Sequence, residues 1–419
     1  MWDCVRKFGL QFCDLSTMLA NISPMLRVLT LNIDSRHKKS IPIISYIFTI
    51  ITAACYFYVY FVSMIWFVFW RCRETGDRIA AMIVLSLGIS SEMSTCKLLN
   101  MFLHKETIKK IVDEYLKHDA TIIKGSRFSN NLLKNLKTVK KRAMIFWLVI
   151  IVNGVIYVAK PIIQPGRHIM EDIFILLGLE PMFESPNYEI SFAMATMGVF
   201  YTCYVPANVT SFFIIIIGYT EATMLALSEE LLHLWEDAKQ FYENNLPNID
   251  VDTDFTLNGH IDYLLNKDQI MNNFIKQRLQ NIIMIHTTTL TVTRQIEFAF
   301  RDALAVEFSL LTASLIAELL GGLENTYIDV PYALMQVAMD CFVGQRMMDA
   351  CDVFEKAVYD CKWENFNSAN MKTVLMVLKN SQKTLVISAG GVTILSFSCL
   401  MNVIKSIYSA YTALRSTMA

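Results

Sequence analysis

The stretch "NVIKSIYSAYTALRS", Asn402 to Ser416, lies near the end of the chain and belongs to a long apolar run. It nevertheless carries an asparagine, a lysine, an arginine and several small hydroxyl residues. At helical spacing, residues three and four apart share a face, so one side of this segment is small and polar. The positions on that side are Ser409, Thr412, Ala413, Ser416 and Thr417. The segment therefore predicts an apolar helix with one face against water.

The rest of the chain has the composition of an integral membrane protein. Of its 419 residues, 54% are hydrophobic and 18% are charged, and the mean hydropathy is +0.39. Soluble domains carry about 25% charged residues. The net charge of -1 speaks against a nucleic-acid partner. Because the sequence has no zinc-ligand spacing, phosphate loop or nucleophile elbow, we expect a membrane-embedded, lipid-contacting protein that is not an enzyme and holds no cofactor or metal.

Several apolar stretches approach or exceed the roughly 20 residues that cross a bilayer, and seven spans are predicted in all. Backbone polar groups in lipid must be bonded internally, so each stretch is predicted to be a helix. The predicted spans are residues 41–69, 79–103, 143–163, 190–219, a fifth that ends near 320, a weaker sixth at 330–343, and 385–414. The predicted fold class is an all-α integral membrane protein with seven transmembrane helices.

Lysine and arginine in the loops predict the orientation of these helices. The sequence "RHKK" at 36–39 precedes the first span, and the lysine-rich segment 105–142 follows the second, whereas the loop at 164–189 is acidic. By the positive-inside rule, the N-terminus is cytoplasmic and the C-terminus extracellular. A G-protein-coupled receptor has the opposite orientation and would usually carry an Asp-Arg-Tyr motif after its third span, which this sequence lacks.

Amphipathic patterns continue beyond predicted spans four to six into the cytoplasm. The spacing of four, three and four residues after Met347 resembles a coiled-coil seam, and Asn367 or Ser368 caps a further short helix. A bundle this small rarely buries enough surface alone, so we expect it to pack both on itself and on other subunits. The predicted anchor residues are Met347, Cys351, Phe354, Val358, Met371, Leu375 and Leu378.

Three motifs near the C-terminus carry a family resemblance. The segment "SQKTLVISAGGVTILSFSCLMNVIKSIYSAYTALRS", Ser381 to Ser416, resembles the C-terminal signature of insect odorant receptors. The motifs "CFVGQRM" at 341–347 and "AVYDCKWENF" at 357–366 are similar to two further landmarks of that family. Thr384 replaces a frequent proline of the signature. The enlarged loop of the family's co-receptor is missing between spans four and five, so the chain resembles an odour-tuning subunit.

The resemblance implies a ligand-gated, non-selective cation channel that a small volatile apolar molecule opens. This subunit would form a heterotetramer with the co-receptor in the plasma membrane of sensory-neuron dendrites. The implied divisions are a cytoplasmic segment at 1–40, spans one to six with the odorant pocket at 41–345 (with cytoplasmic extensions at about 220–285), anchor helices at 346–384, and a pore-lining helix at 385–419. A G-protein-coupled receptor and a secondary transporter remain alternatives, although no internal repeat typical of transporters is evident.

The resemblance also implies an odorant pocket in the outer halves of spans two to six. Its candidates are rich in aromatic residues and methionine, which suits an adaptable apolar pocket. They are Ile83, Leu87, Asn153, Ile156, Tyr157, Phe192, Thr196, Phe200, Tyr204, Phe308, Leu311, Thr312, Tyr332, Met335, Gln336 and Met339. The small polar face of span seven is the candidate pore wall. Three placements of Lys405 are open from the sequence: it faces a vestibule of the pore, it pairs with an acid, or its side chain extends to the membrane–water interface.

Overall fold

The structure, a computed structural model, describes residues 8–36, 40–245 and 257–418 and is almost entirely helical within them. We number its helices α1 to α12 and its two short strands β1 and β2. The helices are α1 (Leu15–Val28), α2 (Ile43–Thr75), α3 (Arg78–Leu103), α4 (Lys105–Thr121), α5 (Arg127–Ile163), α6 (Asn187–Leu232), α7 (Leu234–Asn244), α8 (Leu257–Gly321), α9 (Leu323–Thr326), α10 (Asp329–Tyr359), α11 (Ser368–Ser381) and α12 (Phe397–Met418), with a 3₁₀ turn at Trp363–Asn365. The strands are β1 (Ser388–Ala389) and β2 (Thr393–Ile394), which pair antiparallel.

Five helices, α2, α3, α5, α6 and α8, are long and apolar enough to cross a membrane within the described part of the chain. They correspond to the first five predicted spans. The sixth and seventh predicted spans fall on α10 and α12, which are helical but lie outside that group. The all-helical prediction is therefore confirmed, and the count of seven crossings and the orientation of the termini stay predictions.

Helix α6 is the centre around which the other long helices pack. In its most apolar stretch 89% of the residues are buried, compared with 28% in α5. Glycines let neighbouring helices approach it closely: a Cβ on Gly154 of α5 would lie 2.6 Å from the Cys203 sulfur, and one on Gly218 would clash with Val139. Small residues at such crossings are what helix packing inside a membrane requires, since lipid supplies no hydrophobic drive between helices.

The seventh predicted span begins later than the sequence suggested. Helix α12 begins at Phe397 rather than near residue 385. The preceding residues form the β1–β2 hairpin, whose turn places Gly390 and Gly391 at φ of 65° and 73°. The backbone N–H of Gly390 bonds the carbonyl of Arg301 in α8 at 2.8 Å. Of the apolar residues before α12, Leu385, Ile387 and Leu395 are buried and are therefore covered by protein and not by lipid.

The anchor helices α7 and α11 and the adjoining ends of α8 and α10 pack into one bundle. The residues on the predicted stripe of α10 are all buried within the chain itself: Met347, Cys351, Phe354 and Val358. The Phe354 ring lies 4.5 Å from the His286 ring of α8. The exposed apolar surface lies instead on the outer side of α11, where Leu375 and Met376 are 65% and 68% exposed. Met371 and Leu378 are partly buried beside it.

The close approach of α5 and α6 can be tested by adding one methyl group. We expect Gly218→Ala to destabilise the protein by about 1–3 kcal/mol, because its Cβ would overlap the Val139 side chain. The measurement is the melting temperature of the detergent-solubilised protein. The matched control is the same change in a Val139→Ala background, where the overlap is removed and the effect of Gly218→Ala should largely disappear. An equal loss in both backgrounds would contradict the contact.

Candidate ligand site

A small cavity lies between α2, α3, α5, α6 and α10, at the end of the molecule that carries the 164–186 loop. Its volume is about 40 Å³. Four of the predicted pocket residues line it together: Leu87, Asn153, Tyr157 and Tyr332. A second space of about 20 Å³ shares Leu87 and Tyr157 and extends toward the loop, where Glu171 contributes to its wall. The structure thus joins one part of the predicted pocket to a loop that sequence reasoning had left out.

Hydrogen bonds fix the polar side chains at this cavity. The Tyr332 hydroxyl donates to the backbone carbonyl of Thr202 at 2.6 Å, which ties α10 to α6. The Asn153 side-chain amide donates to the carbonyl of Ile328 at 3.1 Å. The Tyr157 hydroxyl approaches a Glu171 carboxylate oxygen at 3.4 Å. Directed bonds of this kind hold the rings in defined orientations around the cavity.

Helix α3 brings hydroxyl groups to the same place. Ser90 lines the cavity and bonds both Ser314 and a carboxylate oxygen of Glu318, the latter at 3.2 Å. Ser314 also donates to that Glu318 oxygen at 3.0 Å. The cavity wall is therefore backed by a buried hydrogen-bonded acid of α8, which leaves fewer open polar groups at the cavity itself.

The remaining predicted pocket residues do not reach this cavity. Ile156 and Phe200 are 53% and 41% exposed on the outside of the described structure, and Phe200 stacks on Tyr204 at 5.2 Å between ring centres. Others are packed in the core between helices or lie partly buried beside it: Ile83, Phe192, Thr196, Phe308, Leu311, Thr312, Met335, Gln336 and Met339. Aromatic content alone did not separate residues facing the cavity from residues facing outward or into the core.

Two of the cavity residues that sequence reasoning missed are Tyr60 and Asp329. Tyr60 lies in a π-helical segment of α2, Phe57–Ser63, and packs so closely on α6 that a Cβ on Gly198 would lie 2.9 Å from its ring. No sequence pattern announces such a π segment, although these segments occur often at functional sites. Asp329, the first residue of α10, also lines the cavity. The sequence could have indicated this residue, because an ionisable residue next to an apolar span usually has a functional role.

A buried ion cluster beyond the cavity was missed as well. Lys97 of α3 lies 2.8 Å from Glu307 of α8 and 2.7 Å from Asp340 of α10. All three side chains are at most 1% exposed. Charged groups at such depth persist only when they are paired, so this cluster holds α3, α8 and α10 together.

Two of the larger clefts in the described structure lie away from this cavity. One of about 530 Å³ lies at the anchor end, where Arg127 pairs with Glu230 at 2.9 Å and with Asp237 at 2.5 Å. Its charged groups are therefore already neutralised by one another. The other, of about 450 Å³, is an apolar groove beside α1 and α5. Lys140 lies in its wall, and its ammonium donates to the backbone carbonyls of Gly9 and Phe12, which precede α1.

Helix α12 contacts the rest of the chain along one edge and is otherwise exposed. Cys399 and Ile407 are its buried side chains in the described part. The predicted pore residues Ser409, Thr412, Ala413 and Ser416 are exposed, and they form a stripe with Asn402 and Lys405 at spacings of three and four residues. The side chain of Thr417 lies outside the described residues. The polar stripe thus points away from α8 and α10, the helices on which α12 packs.

These features define a helical membrane protein with a small cavity among its helices and a C-terminal helix that is exposed except along one edge. A family model described as 7tm Odorant receptor matches residues 78–408. The chain therefore belongs to the odorant receptor family, which is a family of receptors and not of enzymes. The family resemblance drawn from the C-terminal motifs is confirmed.

Two solved structures have a similar fold. The fold is similar to that of the insect olfactory receptor OR5 from Machilis hrabei, with a TM-score of 0.73 and 10% sequence identity, over 96% of this chain and 98% of that chain. The structure of that receptor in complex with eugenol gives the same values. At such low identity the likeness shows the fold alone. No curated protein matches the chain.

The acidic loop beside the cavity is expected to make the stability of the protein depend on pH. Burial raises the pKa of the Glu171 carboxyl from 4.5 to about 6, while Lys160 acts in the opposite direction and the neighbouring Asp172 adds to the rise. This carboxyl therefore favours the folded state below about pH 4.5, and the contribution is lost as the pH rises through about 6. We expect Glu171→Gln to raise the melting temperature at about pH 7.5 and to change it little at about pH 4.5.

The control for this measurement is Glu184→Gln, because Glu184 lies exposed in the same loop. It should leave the melting temperature unchanged at both values of pH. A Glu171→Gln variant with the same melting temperature as the parent protein at both values would show that this carboxyl is solvated.

Proposed function

We propose that the chain is an odour-tuning subunit of a ligand-gated, non-selective cation channel that it forms with a co-receptor. The observation that carries this proposal is the exposed polar stripe of α12, on the side opposite to its contacts with α8 and α10. Membership in the odorant receptor family supports the same reading. The proposed location is the plasma membrane of sensory-neuron dendrites, with a cytoplasmic N-terminus, seven crossings and an extracellular C-terminus.

The stripe on α12 suits a pore wall for a physical reason. Asn402 and Lys405 would be costly against lipid, so a face that carries them needs water or protein beside it. Copies of α12 around a common axis would bring these faces to a central aqueous path. The hydroxyls of Thr412 and Ser416 donate to carbonyls of their own helix, which leaves oxygen lone pairs free to solvate a passing cation.

The neighbouring subunits would also cover the exposed apolar surface at the anchor end. Val353 and Tyr359 of α10 are 44% and 62% exposed there, in addition to Leu375 and Met376 of α11. Contiguous apolar surface outside the membrane marks an interaction site in most proteins. We therefore assign the intersubunit role to this outer surface, and the buried α10 stripe to the stability of the subunit.

The cavity at the loop end is the proposed odorant site. Ligand pockets are usually about 300–1,000 Å³, so a cavity of about 40 Å³ must open when a ligand enters. The tyrosine rings of Tyr60, Tyr157 and Tyr332 form much of its wall and are the groups that would move. A ligand that binds only the opened form shifts the protein toward that form, and this is the requirement for gating by a ligand.

Two measurements distinguish the proposed channel subunit from a G-protein-coupled receptor and from a secondary transporter. A G-protein-coupled receptor would place an N-terminal tag outside intact cells, whereas the proposed topology exposes it only after permeabilisation. A secondary transporter would move its substrate without ligand-evoked cation current.

Recordings from cells that express the chain with a family co-receptor test the channel proposal. We expect odour-evoked cation current, and we expect Thr412→Asp to raise and Thr412→Lys to lower the permeability of divalent relative to monovalent cations. A fixed charge in a narrow path acts at short range with little screening. Thr412→Ser is the control and should leave permeability unchanged. Normal current with unaltered permeability in both charged variants would show that this face of α12 does not line the pore.

Subunit assembly is tested at the outer surface of α11. We expect Leu375→Asp to dissociate the detergent-solubilised complex while the single chain still folds, because Leu375 is exposed in the isolated subunit. The measurement is the mass of the complex after chemical crosslinking. Asn380→Asp is the matched control, since it adds the same charge at an exposed position on another side of α11. A complex that survives Leu375→Asp would exclude this surface.

A further inference from the structure

The groove beside α1 and α5 is lined mainly by apolar side chains and is separate from the odorant cavity. Its volume of about 450 Å³ is within the range of ligand sites. Ile22 and Met25 of α1 line one side, Met144 and Leu148 of α5 line the other, and the buried Ile215 of α6 lies at its base. Met144 and Leu148 are 39% and 56% exposed, so the groove opens to the outside of the protein.

Polar side chains in this groove are bonded within the protein. The Ser211 hydroxyl donates to the carbonyl of Ala143 at 3.3 Å, and the Trp147 indole N–H donates to the side-chain oxygen of Asn208 at 3.2 Å. The Lys140 ammonium donates to two carbonyls before α1, as described above. The interior of the groove therefore suits a hydrocarbon chain better than a polar ligand.

Lysines continue the outer face of α5 beyond one end of the groove. Lys134, Lys137 and Lys141 are exposed and follow one another at spacings of three and four residues, and the next residues on that face are Met144 and Leu148. Within the part of the chain that the structure describes, none of these lysines forms an ion pair, and the groove is lined by no acid. The face is thus cationic at the end of the groove and apolar along it.

A lipid with an anionic headgroup matches both parts of this surface. A hydrocarbon chain gains little when it leaves the bilayer for an apolar groove, because both surroundings are apolar. The preference for one lipid over another must therefore come from the headgroup. Anionic lipids are concentrated in the cytoplasmic leaflet, where lysines next to a membrane span attract them. The proposed topology places this end of α5 on that side.

We propose that the groove binds an anionic phospholipid of the cytoplasmic leaflet, with one acyl chain between α1 and α5 and the headgroup at Lys137 and Lys141. The bound chain would fill the space between the two helices and hold α1 against α5. This inference depends on the proposed topology for the choice of leaflet, and it is independent of the odorant site and of the pore.

A competing account needs no groove. The cationic surface of the protein would attract anionic lipids in general, and any exposed lysine on the same side of the membrane would contribute equally. Lys117 and Lys124 are such residues, since both are exposed and neither lines the groove. The two pairs of lysines carry the same charge, so a comparison of their removal separates a site from a general attraction.

The test measures the melting temperature of the detergent-solubilised full chain with dioctanoyl phosphatidylserine or dioctanoyl phosphatidylcholine. We expect the serine lipid to stabilise the protein at concentrations about tenfold lower than the choline lipid. This difference should disappear in the double variant Lys137→Gln, Lys141→Gln. The double variant Lys117→Gln, Lys124→Gln is the matched control and should keep it.

A second variant tests whether the acyl chain lies in the groove. Met144→Trp places a larger side chain there at a partly exposed position, and we expect both lipids to bind about tenfold more weakly. Val155→Trp is its control, because Val155 is exposed about three turns further along α5 and does not line the groove. It should bind both lipids as the unmodified protein does.

Several results would overturn the inference. These are equal effects of the two lipids on the unmodified protein, no effect of either lipid, an equal loss in both lysine variants, and unchanged binding in Met144→Trp. Glycerophosphoserine, the headgroup without its chains, should not stabilise the protein at the concentration of the lipid, and if it did, the site would be one for soluble anions. A smaller crosslinked complex in Met144→Trp would assign the groove to a contact between subunits instead.

Discussion

The burial of the most apolar stretch of α6 is the constraint on which the rest of the structure depends. A helix that is covered on all sides must be apolar all round, and its neighbours must approach it through small residues. Gly154 and Gly218 provide such crossings, and Gly198 admits the Tyr60 ring. The cavity forms where this close packing loosens, beside Thr202 and near the end of α6 that carries the loop. Its position therefore follows from how the helices are packed.

Helix α10 connects the cavity with the C-terminal helix. It begins with Asp329 and Tyr332 at the cavity, passes through Asp340 in the buried ion cluster, and reaches Gly344, where the backbone of Leu395 lies directly against it. Leu395 lies two residues before the start of α12. A ligand that displaces the start of α10 must move a helix that is fixed by a buried ion pair and that packs against α12. Such a continuous, packed element is what coupling between two distant sites requires.

The sequence predicted well what depends on length and apolarity, and poorly what depends on which neighbour covers a face. The first five helices followed from apolar runs, and the family followed from the C-terminal motifs. The early start assigned to span seven was wrong, because residues before α12 such as Leu395 are apolar for contact with α10. Helical periodicity places Phe200 and Tyr157 equally well on apolar helices, yet only Tyr157 faces the cavity. Helical periodicity therefore shows which residues share a face of a helix, but not which helix, lipid or cavity that face contacts.

Polar residues within apolar helices carried the information that hydropathy lacked. Lys97, Asn153 and Ser90 all point into the protein, because lipid offers them no partner. The same rule applies to α12 with a different outcome. There Asn402 and Lys405 point away from the rest of the chain, and within the described residues no helix covers them. A polar face that the subunit itself does not cover requires either a second protein surface or water beside it. At the centre of an assembly, such a face would lie next to the other subunits and to water.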